Sequence, residues 1–494
     1  MPTEIDILGG QQTNQFVDIN SQTLINWCPI ITSNAEKNIT KKALRPLDGL
    51  TSLATIANKR TVRGQVSTND RHFSVIDNNL YELTGSVLTS LGTIGSGVQS
   101  SPVFMIITDS NQLFIAESGG TTGYVFDLDS NILTQITDPE FLGVESVDYS
   151  DSFVFTVRNG FLRFSESENA LTWRGDDALR PTFVADKLLQ VVCFKEELYL
   201  FGTQSISIYI NDSNGTSVTF SRLQRSTTSY GVESHFAAAK FDQGIFFVGH
   251  STTTNSSGGR GVYLIDQSYK MTPVSTQNIE EQLNKADSLA GAEGFIEYCS
   301  FGDVLYHLSV PNLNKTFVYS LKSQQWLLRQ SQIPTNDADL TPVQGMYRGR
   351  NICGFRGKTI VGDRYSGTLY YMDSTNSLDG DLPRIFEFTS NVLSDADKWI
   401  SVAMLQILVN TAVATLSRQG SDPKIMISIS TNGGHTFGSP KHLSLSKLNE
   451  YKKRLLTTRL GTARRWVIKL QLTDPVLVTI LNATMIGTIG EAFS

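Results

Sequence analysis

Residues 72–83 read HFSVIDNNLYEL, in which two short apolar runs flank a polar turn centred on Asp77. Such a segment predicts an antiparallel β-hairpin, because Asp and Asn side chains stabilise tight turns and tolerate the left-handed conformation that these turns need. An isolated hairpin cannot bury its apolar side chains. The segment therefore predicts that further hairpins of the same kind lie elsewhere in the chain.

Six further segments repeat this strand–turn–strand pattern. The seven turn centres are Asp77, Asp109, Arg158, Lys195, Asp242, Gly302 and Arg356. They fall at uneven steps of roughly 30 to 60 residues. Small antiparallel sheets that repeat about every 40–50 residues are typical of the blades of a β-propeller, which are arranged around a ring. We expect a propeller of six or seven blades over residues 46–375. A stack of β-sandwiches is the alternative that the pattern leaves open.

The composition also favours an all-β protein of more than one domain. The chain has 494 residues, with 39 glycines, 26 phenylalanines and 16 tyrosines, and it is too long for one compact core. Helical periodicity is confined to a segment starting at Ser275, where Ile279 and Leu283 share one face. The net charge of −6 excludes an overall basic field that would hold nucleic acid.

The pattern changes after Asp373. A polar connection over residues 374–384 leads into longer strands, such as the alternating Val467–Leu472. These features predict a separate β-sandwich over residues 376–494. The first 45 residues are mostly polar, so residues 1–45 are expected to form an N-terminal arm or a lid on the ring.

Two further observations concern the compartment. Cys28, Cys193, Cys299 and Cys353 lie far apart, outside any Cys-x-x-Cys pair, so we expect four buried thiols made in a reducing compartment. The first residues lack a basic region followed by an apolar stretch, and apolar runs of 18 residues are missing, so we expect neither a secretion signal nor a membrane span.

The sandwich region contains an Asp-box pattern, in which a Ser, an Asp or Asn, a Gly, a Thr and an aromatic residue follow at alternate or adjacent positions. Its members are Ser430, Asn432, Gly434, Thr436 and Phe437. The pattern is best known from the blades of sialidases, where it repeats on several blades, and here it occurs once outside the repeats. The Asn side chain can bond nearby amides and the glycines permit positive φ. We therefore expect a structural hairpin and no catalytic role.

Other signatures of chemistry are missing. The six histidines show neither His-x-x-x-His nor His-Glu-x-x-His spacing, and the chain has no Gly-x-x-x-x-Gly-Lys-Ser/Thr loop and no Gly-x-Ser-x-Gly elbow. The acid pair Glu196-Glu197 falls at a turn, where solvated charge explains it. We expect no catalytic residues, no cofactor and no metal site.

One basic segment stands out in this acidic chain: YKKRLLTTRLGTARRW, residues 451–466. It has three interpretations: a solvent-exposed strand edge whose cations prevent aggregation, a surface that docks an acidic partner, or a contact with DNA phosphates. Arg459, Gly461, Arg464 and Arg465 are the candidate interface residues.

The same segment carries a resemblance. The Asp-box stretch ISISTNGGHTFG, followed by Arg459-x-Gly461-x-x-Arg464-Arg465, resembles the C-terminal region of the packaged-DNA stabilisation proteins, or tail hubs, of short-tailed bacteriophages. The segment ALRPLDGLTSL at 43–53 is similar to the entry of that family, and residues 63–83 are similar to its first blade. FGTQSISIYI at 201–210 resembles a mid-chain strand of the family.

The resemblance implies a structural virion protein rather than an enzyme. It implies a homo-oligomeric ring, sixfold in the family, that closes the portal channel after packaging and retains the genome. Implied partners are the portal and adaptor, a tail needle, tailspikes or fibres, and non-specifically the DNA. The protein would reside in the virion tail after assembly in the bacterial cytoplasm. The alternatives are a carbohydrate-binding or carbohydrate-cleaving, sialidase-like propeller, and a soluble enzyme with scattered catalytic residues.

Overall fold

The protein is described from a computed structural model. The described residues are 3–8, 22–34, 39–95, 100–175, 186–212, 220–223, 228–252, 259–333, 343–395, 398–411, 420–445 and 452–490. None of the helices in these ranges is long and apolar enough to cross a membrane.

Four strands precede the propeller: β1 (Thr3–Asp6), β2 (Thr23–Ile25), β3 (Trp27–Asn34) and β4 (Ile39–Pro46). In the part of residues 1–45 that the structure describes, these strands do not form the expected arm. β3 and β4 form an antiparallel hairpin, and β1 and β4 pair with the last strand of the chain. The physical reason is the apolar start of β3, since Trp27 and Cys28 are fully buried in the sandwich core.

The propeller begins with β5 (Gly49–Thr55) and continues as one antiparallel sheet per blade. Blade one comprises β6 (Val62–Ser67), β7 (His72–Ile76), β8 (Asn79–Thr84) and β9 (Val87–Thr93), and blade two comprises β10 (Val103–Ile107), β11 (Gln112–Glu117), β12 (Gly123–Asp127) and β13 (Ile132–Gln135). Blade three comprises β14 (Ser146–Ser150), β15 (Phe153–Arg158), β16 (Phe161–Glu166) and β17 (Asn169–Trp173), and blade four comprises β18 (Leu188–Phe194), β19 (Glu197–Gly202), β20 (Ile206–Asn211) and β21 (Phe220–Arg222).

Three more blades complete the ring. Blade five comprises β22 (Tyr230–Val232), β23 (Ala239–Phe241), β24 (Gly244–Ser251), β25 (Arg260–Asp266) and β26 (Met271–Pro273). Blade six comprises β27 (Glu293–Tyr298), β28 (Val304–Val310), a 3₁₀ turn (Pro311–Leu313), β29 (Lys315–Ser320), β30 (Gln325–Ile333) and β31 (Val343–Met346). Blade seven comprises β32 (Gly349–Phe355), β33 (Lys358–Asp363) and β34 (Thr368–Asp373). The last blade takes β5 as its outer strand, because β5 pairs antiparallel with β34. This pairing closes the ring between its first and last strands.

The inner strands of successive blades contact one another around the complete circle, so the propeller has seven blades. The predicted propeller is confirmed, with one predicted turn centre in each blade. The spacing is uneven because the centres occupy different turns. Asp77, Arg158 and Asp242 lie between the second and third strands of their blades, whereas the other four centres lie between the first and second. The predicted helix is α1 (Gln277–Asn284) between blades five and six, with Ile279 and Leu283 buried.

The sandwich follows the propeller. Its region contains β35 (Leu378–Asp379), β36 (Leu382–Pro383), β37 (Phe386–Thr389), β38 (Ile400–Thr411), β39 (Lys424–Ser430), β40 (Lys441–Ser444), β41 (Lys452–Ala463), β42 (Val467–Leu472) and β43 (Val478–Ile489). One sandwich sheet has the order β3-β4-β43-β38-β41, with β1 also on β43, and the other has the order β2-β37-β42-β39-β40. The short β35 and β36 belong to the sheet of blade seven.

The two domains share a sheet and a core. β2 pairs parallel to β30 of blade six on one side and antiparallel to β37 on the other, which makes a continuous ten-stranded sheet. One hydrophobic cluster contains Trp27 and Phe388 of the sandwich together with Leu305, Val318 and Leu327 of blade six. Propeller and sandwich are therefore fused rather than hinged.

The four cysteines are unpaired thiols. Cys28 and Cys193 are buried, and Cys299 and Cys353 are half-buried.

Candidate functional site

The Asp-box forms the hairpin between β39 and β40. Ser430 Oγ accepts a hydrogen bond from the Gly434 amide at 2.9 Å, and Asn432 Oδ1 accepts one from the Thr436 amide at 3.0 Å. Asn432 Nδ2 donates to Thr436 Oγ1 at 2.8 Å. Gly434 has φ +96°, a conformation that favours glycine. The polar side chains of the motif are thus used within their own turn.

The basic segment contributes β41, which pairs with β38 and lies at the edge of its sheet. The register between these strands shifts opposite Val402–Met404. Close to this irregularity, Arg459 has φ +57° and Gly461 has φ +100°. Within the described ranges, Arg459 is the one non-glycine residue with positive φ inside a strand. Irregularities of this kind re-aim side chains at sheet edges.

Arg459 and the Asp-box hairpin line the same cavity of about 420 Å³, which we call the hairpin groove. Its lining residues are Ile427, Ile429, Thr431, Thr436, Phe437, Gly438, Ser439, Lys441, Arg459 and Leu460. This lining combines apolar side chains, three hydroxyls and two cations, and it contains no carboxylate. Within the described part of the chain, the Arg459 guanidinium forms no hydrogen bond or ion pair. The groove is therefore suited to an anionic, partly apolar partner.

The other two candidate arginines lie beside this groove, in the connection from β41 to β42. The Arg464 guanidinium lies over the ring of Trp399, 5.0 Å from its centroid, and Trp399 is 40 % exposed. The backbone carbonyl of Arg465 accepts a hydrogen bond from the Gly433 amide of the Asp-box at 3.2 Å. Both arginine side chains are exposed; strand alternation does not separate them, because they lie outside the two strands.

The propeller axis is crossed by an aromatic pair. Phe104 of blade two stacks on Phe236 beside blade five, with centroids 5.2 Å apart and an interplanar angle of 22°. These blades lie on opposite sides of the seven-membered ring. Both rings line an axial cavity of about 280 Å³. The stacked rings therefore occupy the position where an enzymatic propeller would present its pocket.

The charged groups that line the axial cavity are paired with one another. Lys240 Nζ lies 2.7 Å from an Asp148 oxygen, and Glu293 accepts from Arg350 at 2.9 Å and from Arg364 at 2.6 Å. For Glu293, burial opposes ionisation, but the two guanidiniums outweigh it and lower the pKa of the carboxyl. These groups hold neighbouring blades together rather than awaiting a ligand.

A buried ionic cluster lies where blade six meets the sandwich. Arg329 Nη1 lies 2.5 Å from Glu297 Oε2, and Arg329 Nη2 donates to the Asp48 carbonyl at 2.9 Å. His307 Nε2 lies 2.8 Å from the same Glu297 oxygen. Burial disfavours the charged carboxyl, yet the Arg329 guanidinium prevails, and the pKa of Glu297 is lowered to about 2. Burial lowers the pKa of His307, which keeps its imidazole neutral at pH 7.

A second arginine joins this cluster from the sandwich side. Arg384 Nη1 donates to the carbonyls of Leu47 at 2.8 Å and Asp48 at 3.1 Å, and Arg384 Nε lies 3.7 Å from Asp379 Oδ1. Arg329 and Arg384 are each 1 % exposed. They therefore bond to the same segment, the link between β4 and β5, from the two domains.

Sequence reasoning missed this cluster and the aromatic pair on the axis. Arg329 is 281 residues from Asp48 in the sequence, and Phe104 and Phe236 are also far apart in the sequence. The one local signal is the apolar run Trp326-Leu327-Leu328 directly before Arg329, since a charge next to buried strand residues needs a partner.

These features define a class: an all-β protein with a seven-bladed propeller closed by its N-terminal segment and fused to a β-sandwich. Its Asp-box side chains bond within their own turn, and the charged groups of the axial cavity form internal ion pairs.

Comparisons with known proteins identify the family. Two family models, both described as Bacteriophage P22 Gp10, match the chain: the β-propeller model over residues 3–377 and the β-sandwich model over residues 385–487. The chain belongs to this phage stabilisation family and is a structural protein of a phage tail. The resemblance noted from the sequence is thereby confirmed. No curated protein matches the chain.

Solved structures with distant similarity to the chain include the following three. The extracellular domain of BT4673 from B. thetaiotaomicron has a TM-score of 0.44 and 12% identity, and the match covers 65% of this chain and 39% of that chain. Virginiamycin B lyase from Staphylococcus aureus has a TM-score of 0.40 and 10% identity, and the match covers 66% of this chain and 98% of that chain. The WD40 domain of Neurospora crassa Pan2 has a TM-score of 0.40 and 9% identity, and the match covers 67% of this chain and 98% of that chain. These scores are too low to support a functional argument.

Proposed function

We propose that this tail protein is the hub, or nozzle, of a short phage tail. Copies of the chain assemble into a ring, with six as the expected number, below the portal and adaptor. The ring closes the portal channel after packaging, retains the genome, and docks the tail needle and the tailspikes or fibres. The protein is assembled in the bacterial cytoplasm and resides in the virion.

The observation that carries this proposal is the fusion of the two domains. The ten-stranded sheet runs from blade six into the sandwich, and Arg329 and Arg384 bond to the link between β4 and β5 from both sides. A component that retains packaged DNA must resist deformation while neighbours attach on several sides. A single fused body with a shared core meets that requirement better than two domains on a linker, since linked domains move relative to each other by default.

The axial stack of Phe104 on Phe236 supports the same proposal. Because the rings cross the propeller axis, a DNA channel would have to lie between copies rather than through one propeller. The net charge of −6 also suits a protein beside moving DNA, since a phosphate-binding surface would oppose ejection.

The proposal includes no catalytic activity and no cofactor. A sialidase-like propeller needs an axial pocket with arginines and carboxylates free to meet a sugar. Along the described axial cavity, Asp148, Lys240, Glu293 and Arg350 are paired internally, and the stacked rings of Phe104 and Phe236 cross the axis. The Asp-box side chains bond within their own hairpin.

Arg459, Arg464 and Arg465 of the basic segment form the proposed assembly surface. We would replace Arg459, Arg464 and Arg465 singly with Ala and measure assembly of the ring, or of tails, beside monomer melting. Loss of an arginine that pairs with a carboxylate across the interface is expected to weaken association by about 2–5 kcal/mol, while the monomer still folds. Lys452→Ala, an exposed position at the start of the same strand, is the matched control. Intact assembly in all three variants would contradict the interface.

Genome retention is tested in particles. A phage lacking this chain is expected to package DNA and then lose it, which nuclease protection would reveal, and supplying the wild-type chain should restore protection. Full protection without the chain would refute the proposed role in retention.

A further inference from the structure

We propose that the hairpin groove of one copy binds an acidic turn surface on blades three to six of a second copy. The inference rests on the proposed ring and names the contact that builds it. We define the turn surface by Asp151, Glu196, Glu197, Asp242, Tyr269 and Tyr298.

The charges of the chain are segregated between its two parts. Residues 376–494 contain 13 Lys and Arg and nine Asp and Glu. Residues 1–375 contain 28 Lys and Arg and 38 Asp and Glu. The sandwich region is thus net positive and the remainder strongly negative. In an assembly of identical copies, such an arrangement favours contacts between the sandwich of one copy and the propeller of the next. Contacts between unlike surfaces are heterologous and close into a ring when the rotation permits.

The groove presents its cations for this purpose. The backbone irregularity in β41 places Arg459 in the hairpin groove, where Lys441 is a second cation. Phe437 is 37 % exposed in the groove. An arginine beside an exposed aromatic ring is a common composition for the energetic centre of an interface.

The turn surface is complementary to the hairpin groove in charge. Glu196 lies in the tight turn between β18 and β19, where Lys195 and Glu196 have φ +51° and +65°. Such turns favour Asn and Gly at both positions, so the chain accepts backbone strain to keep charged side chains there. Within the described part of the chain, the Glu196 carboxylate has no hydrogen bond or ion pair.

The neighbouring residues extend the turn surface. Asp151 lies in the adjacent turn of blade three and lines the same shallow groove as Glu196 and Glu197. Tyr269 donates to Glu197 and Tyr298 donates to Asp242, and these tyrosines are 38 % and 53 % exposed. Lys195 is the one cation that interrupts the acids in that shallow groove. Carboxylates framed by exposed tyrosines match a groove of arginine, lysine and phenylalanine.

A protein partner fits the groove better than a phosphate backbone. Ile427, Ile429 and Leu460 line it beside the two cations. Apolar side chains gain little from a hydrated phosphate chain, but they can pack against tyrosine rings.

The test is a charge swap in the full-length chain, followed by sedimentation velocity at low and high salt. Arg459→Glu and Glu196→Arg should each weaken self-association by about tenfold or more, because each places like charges together. The double variant should restore association to within about threefold of wild type, because the pair is regenerated with reversed sign. Melting temperatures verify that all variants fold.

Two controls carry the same charge changes outside the surfaces. Arg454→Glu changes an exposed arginine of β41 that does not line the groove, and Glu168→Arg changes an exposed acid that also has positive φ, +58°. Both controls should associate like wild type.

The outcomes separate this contact from the proposed ring. Undiminished association in Arg459→Glu and Glu196→Arg would overturn the contact and leave the ring in place. A wild-type chain that stays monomeric at every concentration and salt would overturn both. Loss of binding to a DNA duplex in Arg459→Glu, with self-association unchanged, would replace the protein partner with DNA.

Discussion

Replacing Arg329 with Met should destabilise the whole protein, because Arg329 holds the only guanidinium that pairs with Glu297 in the described structure. The two side chains are each 1 % exposed, and their closest atoms are 2.5 Å apart. The Arg329 guanidinium also lies 4.0 Å from the centre of the Tyr347 ring and bonds to the Asp48 carbonyl. In the variant, Glu297 would be left as an uncompensated buried carboxylate.

Two independent estimates give the size of the effect. Breaking a buried ion pair by removing one partner typically costs about 3–5 kcal/mol. The pKa of Glu297 is lowered from an ordinary 4.5 to about 2. At about 1.4 kcal/mol for each pKa unit, that shift corresponds to stabilisation on the order of 3 kcal/mol at pH 7.

The assay is urea unfolding followed by tryptophan fluorescence and circular dichroism. Arg163→Met is the matched control: it removes an arginine that pairs with Glu140 at 3.2 Å, but these side chains are 19% and 44% exposed. This pair should contribute less than about 1 kcal/mol. The double variant Arg329→Met with Glu297→Gln should recover at least half of the loss, since no buried charge remains unpaired. If Arg329→Met costs no more than Arg163→Met, the argument from burial is wrong.

Two further predictions concern the Asp-box and pH. Gly434→Val should lower the free energy of unfolding by about 1–3 kcal/mol, because the φ of +96° at residue 434 is strained for a β-branched residue. Thermal melting measures this loss. Glycoside turnover that is lost in Asn432→Ala would instead show that the motif is catalytic. Because the folded pKa of Glu297 is lowered, its stabilisation is complete above pH about 4.5 and is lost as the pH falls toward 2. Glu297→Gln should therefore flatten the acid side of a plot of melting temperature against pH, and an unchanged slope would refute the assignment.

The propeller could be predicted because its signals are local. Each blade contains a turn residue such as Asp77 or Lys195 within a few residues of two apolar strands, and the pairing that follows spans a short loop. The closure of the ring has no such signal. β5 pairs with β34 more than 300 residues later, and β2 joins two domains with only three residues, Thr23–Ile25.

The candidate site was predicted in pieces rather than as a whole. The Asp-box and the basic segment each have a recognisable composition. Their convergence on one groove depends on the register of β41 against β38 and on the positive φ of Arg459, neither of which leaves a mark in the local sequence. The partners of Arg329 and Arg384 are backbone carbonyls and distant acids, which composition cannot reveal.

The course of the chain explains why the sandwich should not fold alone. The N-terminal segment supplies β1, β3 and β4 to one sandwich sheet and β2 to the other before β5 enters the propeller. A fragment of residues 376–494 would lack these strands and would expose the side of the core that Trp27, Leu24 and Leu44 now cover. Burying side chains of this size contributes about 1.5–3 kcal/mol each, which is a large share of the stability of a small domain. We therefore expect this fragment to be unfolded or aggregated by circular dichroism and size-exclusion chromatography, and adding residues 1–48 through a flexible linker should improve its folding. A monomeric fragment with cooperative melting would show that the domains are separable and would remove the main support for a single rigid body.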